Sequence, residues 1–69
     1  MSEKFPEWFA AQFVIRWDTS ELVDFIRDKE GIVDVTIDDV LIEIDSRLYD
    51  RFGRSNAEFA VYDDSGEEY

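Results

Sequence analysis

Between Asp18 and Asp45 the chain sets ten acidic residues against only Arg27 and Lys29, yet it threads apolar residues through the same stretch at regular intervals. Any fold must therefore turn one side of each element inward and leave the other crowded with carboxylates. The chain has 69 residues, no cysteine, no histidine and a net charge of −11. At that length one domain is the ceiling. Without cysteine it has no disulfide and no thiolate metal site, so an apolar core must hold it. Apolar residues make up 45% of the chain and aromatics 16%, which is bulky material for such a core.

The periodicity predicts a helix over 19–30, with Asp18 as N-cap and Glu21 completing a capping-box pattern. Leu22, Phe25 and Ile26 form its inward stripe with Val23 on the flank, and Gly31 stops it. Residues 32–37 and 40–45 alternate apolar and polar side chains and are rich in β-branched residues, which predicts two strands joined by an Asp38-Asp39 hairpin turn. A strand is also expected over 12–17, a short helix over 47–52 ended by Gly53, and a last strand over 58–62, while 6–11 reads as either a helical turn or a strand extension. The expected fold is α+β, in β-α-β-β-β order, with one main helix packed on a three- or four-stranded, mostly antiparallel sheet. Residues 1–62 would form the domain and 63–69 an acidic, solvated tail.

The placement of the acids points to function. In the expected hairpin Val33, Val35 and Ile37 meet Ile44, Ile42 and Val40 on the buried face, which sets Asp34 opposite Glu43 outside. On the helix, Glu21, Asp24 and Asp28 are neighbours of like charge. Each such pair destabilises by a few tenths of a kcal/mol, so a sequence chosen for stability alone would put lysine at some of these positions. Neighbouring acids about 5–7 Å apart approximate the repeat of phosphates along a nucleic-acid strand, and can occupy a groove lined with Arg and Lys. The candidate partner-binding residues are Glu21, Asp24, Asp28, Asp34, Asp38, Asp39, Glu43 and Asp45.

In its small size, strong acidity, α+β pattern and these acids of 18–45, the chain resembles the small acidic DNA-mimic inhibitors of phages and mobile elements, including several anti-CRISPR proteins. The resemblance implies a protein that works without catalysis, by blocking DNA entry to a nuclease, a CRISPR complex, a gyrase or a transcription protein. The expected partner is then the basic groove of a nucleic-acid-binding protein, met by a monomer or homodimer. A chain of this charge is not expected to bind nucleic acid or anionic membrane directly.

Other readings compete. The acids also suit a solvated surface or work at high salt, with lysine present only twice. An interaction module acting through the aromatic cluster Phe5, Trp8 and Phe9 is the alternative function, although that cluster also suits a core role. Trp17 fits either face of its strand. Arg47, Arg51 and Arg54 would align on a short helix as a second contact, or pair with the hairpin's acids. The usual catalytic bases and nucleophiles are missing, so no enzyme activity and no cofactor is expected. A divalent-metal site would have to use Asp34, Asp38 and Asp39, but no calcium-loop pattern matches and no metal is expected. With no apolar stretch near the roughly 20 residues of a membrane span and no signal-peptide pattern, a cytoplasmic protein is expected.

Overall fold

The computed structural model describes residues 5–54 and 58–69. Its order is β1 (Trp8–Ala11), β2 (Ile15–Asp18), α1 (Thr19–Glu30), α2 (Ile37–Phe52) and β3 (Val61–Asp63). The protein is α+β, with three antiparallel strands in the order β2-β1-β3. The β-α-β-β-β order with a single main helix is corrected to two strands, two helices and a closing strand. The ambiguous segment 6–11 supplies the central strand, and the expected strand 12–17 splits into a turn followed by β2.

The register explains the core. Phe9 pairs with Trp17 on one side and Asp63 on the other, while Ala11 pairs with Ile15 and Val61. These residues form two rows on the face that meets the helices, and Trp17 therefore points inward and is buried. The outward rows carry Trp8, Ala10, Arg16 and Tyr62, with the Arg16 guanidinium 5.2 Å from the Trp8 ring centre. The turn between β1 and β2 is closed by a hydrogen bond from Val14 N–H to Ala11 C=O, 3.0 Å.

The first helix forms where the sequence predicts it. It buries Thr19, Leu22, Val23 and Ile26, so Val23 faces the core more fully than Phe25 does. Gly31 ends it in the left-handed region at φ 68°, where its N–H donates to Arg27 C=O. Asp18 is the N-cap residue, but its side chain makes no capping hydrogen bond, so the expected capping box is not formed.

The two-strand expectation for 32–45 fails. Residues 37–45 are instead the first part of the 16-residue helix α2, which also absorbs the expected short helix over 47–52. Asp38 and Asp39 occupy its first turn rather than a hairpin. Thr36 and Asp39 cap it reciprocally: Asp39 N–H donates to Thr36 Oγ1 at 3.2 Å, and Thr36 N–H donates to Asp39 Oδ2 at 3.0 Å. The acids in that turn also suit the positive end of the helix dipole. At helical spacing Val40, Ile44 and Leu48 fall on one stripe and are completely buried, each stabilising the fold by about 2 kcal/mol.

Both helices lie on one side of the sheet, and the core of Phe9, Leu22, Ile26, Val40, Ile44, Leu48 and Val61 sits between the layers. The connection 31–36 returns the chain beside α1, and Arg47 late in α2 reaches Glu21 early in α1, so the helices run as antiparallel neighbours. No helix among the described residues is long and apolar enough to cross a membrane.

Candidate functional site

The outer face of the helical layer holds most of the acids singled out from the sequence. Glu21, Asp24 and Asp28 stand at i, i+3 and i+7 on α1, and all three are exposed. Their alignment on one face agrees with the expectation. Asp38 and Asp45 stand seven residues apart on α2, Asp38 exposed and Asp45 half-buried. Asp50 adds a further exposed carboxylate near the end of the same helix. Among the described residues Asp24, Asp28, Asp38 and Asp50 take part in no ion pair.

Two of the candidates do other work, and a third lies off the helices. Asp34 lies in the connection before α2, so it cannot stand opposite Glu43 across a hairpin. Glu43 turns inward beside α1 and is buried, where Arg47 Nε donates to its Oε2 at 2.7 Å. The same guanidinium lies 3.5 Å from Glu21 Oε1 and 4.9 Å from the centre of the Phe25 ring. Arg47 thus ties the two helices together through one carboxylate on each and an aromatic face. Asp39 is committed to the helix cap. The aligned array is therefore smaller than the sequence suggests, and it lies on helices rather than on a hairpin.

The arginines separate as well. Arg47 pairs with acids, although on the helices rather than in a hairpin. Arg51 stacks 5.6 Å from the Phe52 ring centre, and Arg54 follows the helix end at Gly53 and so leaves the helical alignment. The aromatic cluster divides too: Phe9 is completely buried, Phe5 packs half-buried against the core, and Trp8 lies beneath Arg16.

A second carboxylate centre was not expected. The end of the chain, read as a solvated tail, turns back along β3, with Tyr69 N–H donating to Val61 C=O at 2.8 Å and a bridge between Tyr62 and Glu68. Asp63 sits buried at the centre of this turn. Its Oδ1 accepts from Ser65 Oγ at 2.6 Å, Ser65 N–H at 2.9 Å and Glu67 N–H at 3.1 Å, and its Oδ2 accepts from Tyr69 Oη at 2.7 Å. The Ser65 hydroxyl, with Tyr69 and the two backbone donors, outweighs burial and holds the Asp63 carboxyl at about 2, below its ordinary 3.8. Burial, then the hydrogen bond to Asp63, pushes the Tyr69 phenol well above its usual range. The Tyr69 ring in turn lies 5.5 Å from that of Phe9, which locks the turn to the core. The signal in the sequence was the Asp-x-Ser spacing, since an aspartate commonly accepts from the backbone two residues on.

Among the described residues no group of three or more carboxylates, histidines or cysteines is arranged to hold a metal ion, and Asp34, Asp38 and Asp39 do not converge. No protein family, curated protein or solved structure matches this chain. The reading of its function therefore rests on its own chemistry.

Proposed function

We propose that this protein is a non-catalytic binding protein whose helical face offers carboxylates in place of nucleic-acid phosphates to the basic groove of a nucleic-acid-binding partner. The observation that carries this reading is the exposed row Glu21, Asp24 and Asp28 on α1, on the same layer as Asp38 and Asp50 of α2. Arg47 is spent on Glu43 and Glu21, which leaves the rest of the row for outside cations. Helical neighbours about 5–6 Å apart on a rigid layer provide spaced negative charge without the entropy of a flexible tail. Contact with Arg and Lys would be charge-assisted and strongly dependent on salt. The alternative contact through Phe5, Trp8 and Phe9 gains less support, because Phe9 has no exposed surface.

The test is capture of basic proteins from a lysate on the immobilised chain, followed by displacement of duplex DNA from each captured protein. The expected result is a partner that releases its DNA as the chain is added, with affinity falling about tenfold or more between about 50 and 200 mM salt. The triple variant Asp24→Lys, Asp28→Lys, Asp38→Lys should fold and fail to displace. Captured proteins that keep their DNA, or full displacement by the triple variant, would overturn the reading.

A further inference from the structure

One end of the molecule displays several large aromatic side chains. Phe13, at the tip of the β1–β2 turn, has φ 63° and is 97% exposed. The left-handed region suits glycine or asparagine and is strained for a bulky residue. The position thus holds an aromatic side chain that neither the backbone nor the core needs.

The same end gathers further exposed aromatics. Gln12 N–H donates to Ala60 C=O at 2.8 Å, which ties the tip to the segment carrying Phe59. The Phe59 ring lies 5.8 Å from that of Phe52, itself 42% exposed, and Tyr49, one turn earlier on α2, is 66% exposed. Asp50, Arg51 and Arg54 are exposed beside them. With Arg47 held by Glu21 and Glu43, the exposed charges at this end are Arg51 and Arg54 against Asp50 and Glu58, a local balance in a chain of −11.

We infer that this aromatic and arginine-bearing end is a homodimer interface, joining two copies of the chain about a two-fold axis. Two chains of −11 repel, so self-association favours a surface where opposite charges balance, and here Arg51 and Arg54 offset Asp50 and Glu58. A two-fold contact also needs a self-complementary patch, and both signs are present here, with Asp50 beside Arg51 and Arg54. A purely acidic or purely basic partner would leave one sign opposed. Exposed aromatics with arginine are the composition found at the centres of such contacts. Burying Phe13 against the second copy would offset the strain its backbone carries. The inference can be tested apart from the basic partner proposed above, because its aromatic anchors Phe13 and Phe52 lie outside the row Glu21, Asp24 and Asp28 and the two readings share only Asp50.

Sedimentation of the full chain from about 10 μM to about 1 mM tests it. The mass should rise from 8.2 kDa towards twice that value. Added salt should strengthen the dimer by screening the net repulsion. Phe13→Gly, which relieves the strained backbone, should melt no lower than the parent at low concentration, yet dimerise at least tenfold more weakly. Phe52→Ser is the second variant and should weaken it likewise. A chain that stays monomeric at about 1 mM overturns the inference. So does a dimer that both variants leave unchanged, or one abolished by Ile42→Lys on the helical face instead.

Discussion

Asp63 and Asp24 are both aspartates on regular elements of one small domain, and they act on the fold in opposite senses. Asp63 is buried in a row with Phe9, and four donors from Ser65, Glu67 and Tyr69 satisfy it. Asp24 stands exposed between Glu21 and Asp28 with no ion pair of its own. The first organises the end of the chain, whereas the second adds only repulsion to the folded state. Burial of a charge is thus no guide to its cost. What decides is whether donors are built around it, and here the chain built them for the carboxylate it buries and not for those it displays.

The comparison is broken most severely at Asp63. Asp63→Ala removes the buried acceptor of four hydrogen bonds in the C-terminal turn and should cost about 3 kcal/mol, read by urea unfolding. Asp24→Ala under the same conditions should change stability by less than about 0.5 kcal/mol. Equal losses would mean that the helical row is structural. Glu43→Ala should fall between the two, at about 2 kcal/mol, because it leaves Arg47 partly buried with only the longer contact to Glu21.

Acid titration sharpens the same contrast. The folded Asp63 carboxyl is held at about 2, against 3.8 ordinarily. As the pH falls, the unfolded chain therefore takes up this proton first. The stability owed to Asp63 should be complete above about pH 4 and drain away between about pH 4 and pH 2. The gap between the parent and Asp63→Asn in thermal melts should close over that window, and a gap independent of pH would contradict the assignment. The smallest effect is expected at Asp24→Lys, which should gain a few tenths of a kcal/mol at low salt and lose the gain as salt is added.

The first helix was legible from end to end, since Leu22, Ile26 and the Gly31 stop admit one reading. The second helix was not, because 32–45 satisfies two periods at once. Val33, Val35 and Ile37 alternate as in a strand, while Ile37, Val40, Ile44 and Leu48 recur as on a helix. Strand preference depends on having a neighbouring strand to pack against, and the three-stranded sheet is filled from 8–18 and 61–63 instead. Two local signals favoured the helix: the Thr36–Asp39 cap spacing, and the absence of any Gly or Pro from Ile32 to Phe52.

The same ambiguity governed the site. Glu21, Asp24 and Asp28 were readable because their helix was. A strand period puts Glu43 on an outer face, whereas the helical period turns it towards α1 and Arg47. The role of Asp63 depends on Tyr69 meeting it through six residues of returning chain, a contact that no local pattern specifies. Phe13 was legible as an apolar residue, but its left-handed backbone arises only from the tight closure between Ala11 and Val14.

Unfolding free energy as a function of sodium chloride, from near zero to about 0.2 M, addresses the surface charge as a whole. If the displayed carboxylates repel one another without internal compensation, stability must climb steadily over that range as screening sets in. A decline with added salt would mean that attractive ion pairs dominate the surface, and that the helical acids belong to the fold rather than to an outside partner.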